Sequence, residues 1–339
     1  MNALVLVAPG TLEYKEVPEP KIESPTDAIV QVAAVGICGS DTHGYAVVGG
    51  RRVPPIIMGH EFCGTIAELG TEDGRLGPGD RVFVLPWEYC GRCDACLVGA
   101  EYLCRAGRVY GADLPGAFAE RVRISSRNTI PLPASVSSEQ GTLVEPLSVV
   151  LHGLRRVNVQ AGGSVAVVGA GAIGLLAVAV LALHSPRELI VIEPNTVRRE
   201  LAIRLGATTT IDPTEESPVS MIADLTNGTG VDVVVEAAGI SATVGIAIDV
   251  IRHGGVVVWL GNAGRTIEID EFQLVWKQLT LAASVGMTRQ SVRRAISLIA
   301  EGEIATQEVI TDVVPLSDGV VAFHRQATDN NVVKTVLIP

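Results

Sequence analysis

The stretch Ser164-Val165-Ala166-Val167-Val168-Gly169-Ala170-Gly171-Ala172-Ile173-Gly174 decides the fold of this chain. A short apolar, valine-rich run predicts a buried strand, and it passes without a spacer into G-x-G-x-x-G and then an apolar helix from Leu175. Strand, tight turn and helix in that order predict a dinucleotide-binding unit. Gly169 permits the turn, Gly171 lets a pyrophosphate approach the backbone, and Gly174 lets helix and strand pack closely. The helix N-terminus then offers amide donors and partial positive charge to phosphates.

Working outward, a second strand, Leu189 to Ile192, ends in Glu193 about twenty residues after the loop. A carboxylate there can accept hydrogen bonds from adenosine ribose hydroxyls and repels a 2′-phosphate, which favours NAD over NADP. Arg198 and Arg199 follow closely. Arg198 is read as covering the adenine or ribose edge, and the arginine pair keeps NADP open as the lesser option. Strands Val231 to Val235 and Gly255 to Leu260 alternate with helical stretches Val197 to Leu205 and Ala242 to Ile251. That alternation predicts an α/β, doubly wound parallel sheet.

The chain has 339 residues, enough for two domains by a rough prior of one per 150. Its net charge of −11 disfavours nucleic acid or an anionic membrane as main partner. Hydrophobic residues make up 47% and charged residues 19%, so a packed core is expected. Aromatics are only 4%, which leaves Val, Ile, Leu and Ala to build that core. The apolar run Ala172 to Leu183 is too short for a hydrocarbon layer of roughly 30 Å and reads as a buried helix. With no basic, apolar leader at Met1, a soluble, cytoplasmic protein is expected.

Four of the six cysteines, Cys90, Cys93, Cys96 and Cys104, form C-x2-C-x2-C-x7-C. Disulfides are disfavoured, because three cysteines two residues apart cannot pair among themselves without strain. Ferredoxin-type runs close with a three-residue gap and a proline, whereas here the gap is seven and Arg105 follows. Zinc fits better: four thiolates on a loop punctuated by Gly91 and Gly99 can close a tetrahedron with no open position. Cys38 lies apart, in Gly36-Ile37-Cys38-Gly39-Ser40-Asp41-Thr42-His43, and Gly59-His60-Glu61 follows it. Cys38, His60 and Glu61 supply a thiolate, an imidazole and a carboxylate, a donor set for a catalytic zinc with an open position. Cys63 has no such company and reads as core packing.

Together these motifs resemble the medium-chain zinc alcohol and polyol dehydrogenases over essentially the whole chain, from Cys38 and Gly-His-Glu through the cysteine lobe and Rossmann unit to Asn331-Val332-Val333-Lys334. The resemblance implies a GroES-like, β-rich catalytic domain from residues 1–150 and 286–339, with a Rossmann NAD-binding domain at 151–285. It implies two zinc ions per chain. Asp41 would orient His60, while Ser40 and His43 would relay the substrate proton outward. Leu143-Val144-Glu145-Pro146-Leu147 stands where classical alcohol dehydrogenases carry a further cysteine, and its Glu-Pro-Leu is similar to the sorbitol and sugar-alcohol branch. In that branch either Glu61 or Glu145 meets the zinc, directly or through water. Cofactor contacts are implied for Gly169, Gly171, Ile173, Gly174, Glu193, Arg198, Leu260, Gly261 and Val285.

The implied reaction moves a hydride between a secondary alcohol and the nicotinamide, with zinc as Lewis acid. The small-molecule substrate is expected to be a polyol, a sugar alcohol or a sugar-alcohol phosphate. Arg51 and Arg52 are candidates for an anionic group, and the motif order is also similar to galactitol-phosphate dehydrogenases. Threonine or 2,3-butanediol dehydrogenases share every motif, although the former usually carry Asp-Pro-Phe where Glu145-Pro146-Leu147 stands. A zinc-free quinone reductase relative and a non-catalytic NAD-binding scaffold are the more distant readings. A homo-tetramer or homo-dimer joined at the Rossmann sheet edge near Val256 to Trp259 is expected.

Overall fold

A computed structural model describes residues 1–71, 75–263 and 266–339. The chain divides into two compact units: residues 1–145, 288–303 and 310–339 form the first, and 146–287 with 304–309 the second. The short segment 304–309 groups with the second unit although the chain on both sides of it belongs to the first.

In the second unit Ser164–Val168 is a strand buried on both faces. It pairs in parallel with Glu188–Ile192 on one side and Val231–Glu236 on the other. The six-stranded sheet runs Thr209–Ile211, Glu188–Ile192, Ser164–Val168, Val231–Glu236, Ile251–Trp259, Thr280–Ala283, and every pairing is parallel. In chain order this is 3-2-1-4-5-6, the dinucleotide-binding order, with the glycine loop at the switch point beside the first strand. The α/β, doubly wound expectation therefore holds. The apolar run becomes the helix Ala172–Ala182, whose residues from Gly174 to Leu181 are all buried. No helix among the described residues is long and apolar enough to cross a membrane.

One expectation about this sheet is corrected. Val256 to Trp259 is not an edge: it pairs with Val233 to Glu236 on one side and Thr280 to Ala283 on the other. The chain continues through the helix Glu271–Trp276 and lays a further parallel strand outside it, so among the described residues Thr280–Ala283 is the edge on that side and Thr209–Ile211 the edge on the other.

The first unit is a mainly antiparallel β structure. Its central strand, Asp27–Gly36, pairs with Glu61–Leu69, with Arg121–Ser125 and with the C-terminal strand Thr335–Ile338. These pairings bring Gly36, Glu61 and the residues around Lys334 together from both ends of the chain. Aromatics contribute more to this core than their scarcity suggested. Phe62, Phe83, Phe118 and Phe323, four of the five phenylalanines, are fully buried here.

Candidate active site

Cys38 caps the short helix Gly39–Gly44, and His60 leads directly into the strand Glu61–Leu69. The register sets Gly36 opposite Glu61, and a Cβ on Gly36 would lie 2.6 Å from Glu61 Oε2, so glycine leaves room for that carboxylate. Gly59 has φ +91°, and a Cβ there would meet the Phe118 ring at 2.5 Å. The Gly-His-Glu turn is thus clamped on the core, which aims His60 and Glu61 toward Cys38. One ligand atom each from Cys38, His60 and Glu61 lies within 4.8 Å of the other two.

Around this trio the charges are buried and unequal. Asp41 is fully buried; its Oδ2 accepts from the Cys38 amide at 3.1 Å, and Oδ1 stands 3.5 Å from His60 Nδ1. Burial alone would raise the Asp41 carboxyl, but His60 and then Arg52 override it and hold it at about 2. Lys334 Nζ donates to Glu61 Oε2 at 2.6 Å and to the Ile37 carbonyl at 3.0 Å. Burial, and after it the Glu61 charge, push the Glu145 carboxyl up to about 7. Asp41 and Glu61 are thus each faced by a cation, Arg52 and Lys334. A divalent cation beside the trio would favour the ionised form of Glu145, which burial disfavours.

The sequence-expected residues distribute as follows. Cys38, His60 and Glu61 converge, Asp41 lies behind His60, and Glu145 is buried outside that trio. Ser40 and His43 are exposed on the helix that Cys38 caps. Arg51 and Arg52 do not offer free guanidinium groups. Arg51 is bidentate on Asp113, with Nε 2.8 and 3.0 Å from the two carboxylate oxygens, and Arg52 Nη2 lies 2.6 Å from Asp41 Oδ1. Sequence reasoning missed Lys334 and the Arg52–Asp41 pair. A lysine inside the apolar segment Val332-Val333-Lys334-Thr335-Val336 was the available signal, because lysine is almost never fully buried without a partner.

In the cysteine lobe the sulfurs of Cys93 are 3.5 Å from Cys96 and 3.8 Å from Cys104, and those of Cys90 and Cys96 are 4.0 Å apart. A disulfide needs about 2.05 Å. Four ligands at about 2.3 Å from a tetrahedral zinc stand about 3.8 Å apart, so the lobe fits that ion. The backbone amides of Arg92 and Cys93 pull the Cys90 thiol down to about 6, while burial and the Cys93 thiol push the Cys96 thiol up to about 12, so it is the sulfur spacing that carries the fit. Cys63 is buried, and burial pushes its thiol up to about 12.

In the second unit Gly169 takes φ +93°, a Cβ on Gly174 would lie 1.9 Å from the Gly169 carbonyl, and a Cβ on Gly171 would meet nothing within 4 Å. The turn, the close packing and the open approach fall on three different glycines. Glu193 is buried beneath the loop: its Oε2 accepts from the Ala170 amide at 2.7 Å and its Oε1 from the Asn195 amide at 3.1 Å. Arg199 is committed to the Glu193 and Pro194 carbonyls and to Asp212. The Arg198 amide is capped by Asn195. Leu260 and Gly261 donate to the Glu236 carbonyl at 2.9 and 3.0 Å, Ile173 lies in the first turn of the loop's helix, and Val285 is exposed.

A Rossmann unit and a cysteine–histidine–glutamate trio that could hold a metal, on one chain, define a class, the metal-dependent nicotinamide oxidoreductases. Residues 24–134 match the model of the alcohol dehydrogenase GroES-like domain, and residues 172–301 match that of the zinc-binding dehydrogenases. The chain is 36% identical to 2-dehydro-3-deoxy-L-galactonate 5-dehydrogenase of Pseudoalteromonas atlantica, over 85% of this chain and 84% of that one. It is 34% identical to L-threonine 3-dehydrogenase of Bacillus velezensis, over 90% and 89%. It is 32% identical to "Probable D-xylulose reductase A" of Emericella nidulans, over 99% and 95%. Among solved structures, a "putative zinc-binding dehydrogenase" of Sinorhizobium meliloti 1021 bound to NADP matches with a TM-score of 0.90 at 34% identity, covering 100% of this chain and 99% of that one. The chain belongs to the medium-chain, zinc-binding alcohol and polyol dehydrogenase family, enzymes that act on CH–OH donors.

Proposed function

We propose that the protein oxidises a secondary alcohol of a polyol or sugar alcohol, reversibly, with NAD. The observation that carries this is the convergence of Cys38, His60 and Glu61 within 4.8 Å, beside Lys334 and Glu145. Bound there, zinc would supply a Lewis acid for the substrate oxygen and nicotinamide would accept the hydride. The chain's own residues do the rest. Asp41 fixes the imidazole of His60, and Lys334 balances and anchors Glu61. Ser40 Oγ and the exposed imidazole of His43 pass the hydroxyl proton to water. Glu145, buried and held near neutral pH, is suited to exchange a proton with a second hydroxyl on the neighbouring carbon.

Zinc in the cysteine lobe would make two ions per chain. NAD is favoured by the commitment of Arg199 to Asp212 and to the Glu193 and Pro194 carbonyls, which keeps that guanidinium from a 2′-phosphate. A phosphorylated substrate is less well served, because both Arg51 and Arg52 are engaged by carboxylates. The free cysteines suit a reducing, cytoplasmic compartment. The unpaired edge Thr280–Ala283, with Phe272, Val275 and Trp276 exposed beside it in sequence, suits a homo-oligomer. The test is NADH formation across polyols, sugar phosphates, threonine and butanediol, with NADP in parallel. Turnover of polyols supports the proposal; turnover of threonine alone moves the protein to the class of its threonine-dehydrogenase relative.

A further inference from the structure

We propose that Arg52 is a positioning residue of the metal site, acting on His60 through Asp41 and on the helix start through Ser40. The proposal rests on the reading of Cys38, His60 and Glu61 as metal ligands. Asp41 Oδ1 is shared: Arg52 Nη2 lies 2.6 Å from it and His60 Nδ1 3.5 Å. The first is a short, charge-assisted hydrogen bond; the second is a close contact only, and His60 Nδ1 has no hydrogen-bond partner among the described residues. The guanidinium, not the imidazole, therefore decides where that oxygen sits.

The remaining geometry has the same sense. Oδ2 is held by the Cys38 amide, so the carboxylate is pinned at one end by the loop that carries one proposed ligand and at the other by Arg52. The same Nη2 reaches Ser40 Oγ at 3.4 Å. One nitrogen of a rigid, planar guanidinium serves both acceptors, and a lysine ammonium on a flexible stem is held in place less firmly. Arg52 has one-tenth of its side chain exposed, and its Nε is buried without a partner among the described residues. An arginine kept in that condition is held for its place, not for solvation. Gly44, at the end of the same helix, provides the space: a Cβ there would stand 2.6 Å from Arg52 Nη1. Such a contact moves the tip of the arginine and leaves its charge intact.

The consequence is that His60 is aimed by an acceptor whose charge is already matched. Without Arg52 the buried carboxylate is free to turn onto the imidazole or away from it, and either changes the donor geometry. Residues behind metal ligands commonly change metal affinity by 10- to 100-fold when altered.

The test uses the full chain loaded with zinc, and separately with cobalt(II) as a spectroscopic probe, in wild type, Arg52→Gln, Arg52→Lys and Gly44→Ala. Cys38→Ser marks the signal of the cysteine lobe alone. Arg52→Gln is expected to lose its non-lobe metal to a chelator at least about tenfold faster and to shift the visible cobalt bands. Arg52→Lys should restore part of the difference, and Gly44→Ala should shift the bands in the same direction with its charge complement unchanged. A lower Tm in Arg52→Gln, with metal release and cobalt bands as in wild type, would overturn the proposal and leave Arg52 a neutraliser of Asp41. If Arg52→Gln does not fold, unshifted bands in both other variants overturn it equally. Wild-type protein with metal in the lobe alone would instead remove the site reading, a failure seen before any variant is made.

Discussion

Lys334 Nζ and Glu61 Oε2 lie 2.6 Å apart, both side chains almost wholly out of water, although 273 positions separate them in the chain. The pair closes the proposed metal site from behind: the strand Thr335–Ile338 brings in the lysine, and Gly36 makes room for the acid. Breaking such a pair from one side leaves a buried charge unmatched, at a cost of about 3–5 kcal/mol. Lys334→Met should therefore lower the urea midpoint sharply, and Lys334→Met with Glu61→Gln should recover much of the loss. A double variant no better than the single one would show that the charge pairing is not the source.

Metal content offers a second check. The wild-type protein should carry close to two zinc ions per chain. Cys93→Ser should remove one and disorder the lobe, because a four-thiolate site is a closed tetrahedron whose ion contributes folding energy outright. Cys38→Ser should remove the other and abolish turnover while the lobe keeps its ion. Elemental analysis of the three proteins distinguishes these outcomes.

Gly174→Ala is expected to damage both stability and cofactor binding. Its Cβ would stand 1.9 Å from the Gly169 carbonyl, a distance that forces the helix off the turn. Overpacking of this kind costs roughly 1–3 kcal/mol. Gly171→Ala, whose Cβ meets nothing within 4 Å, should leave the unliganded protein stable. If Gly171 is where a pyrophosphate approaches, its alanine variant should bind NAD weakly, as measured by fluorescence titration.

Glu193→Ala separates two roles. The carboxylate accepts from the Ala170 and Asn195 amides, so its removal should loosen the glycine loop. Affinity should then fall for NAD and NADP alike, by about tenfold if one charge-assisted hydrogen bond of about 1.5 kcal/mol is lost. A fall for NAD with a gain for NADP would mean that ribose recognition dominates.

The acid limb of stability has an identifiable contributor. Burial raises Asp232 somewhat, but the Ser164 amide and Arg252 outweigh it and depress its carboxyl below the ordinary value. A depressed folded-state pKa stabilises fully above the unfolded value near 3.9, and the contribution disappears as pH falls through the folded value. Asp232→Asn should be less stable than wild type at pH 7, and the gap should close toward pH 3. The Arg252 pair is exposed enough for water to screen it, so its share is at most about 1 kcal/mol. Urea midpoints at the two pH values decide it.

Much of this was legible in the amino-acid order. Ser164–Val168 falls where the glycine motif required a strand, and Val231–Glu236 differs from expectation by one residue. The lobe cysteines and the Gly-His-Glu turn are local signals too, since ligand spacing and turn chemistry operate over a few residues. What came out differently depends on pairings that no local period encodes. Val256 to Trp259 reads as a sheet edge until the strand Thr280–Ala283 is seen to cover it. The pairing of Arg51 with Asp113 and of Arg52 with Asp41 likewise joins positions far apart in the chain.

By itself, then, the sequence determined the dinucleotide unit, the donor types of two candidate metal sites and the class of chemistry, because each is written in local spacing. Only the tertiary structure decided that Lys334 balances Glu61, that Arg52 holds Asp41, and that Glu193 braces its own loop. Each of those facts is a match of charge or hydrogen bonding made after folding, when water is gone and every buried polar group must find its partner among residues distant in the chain.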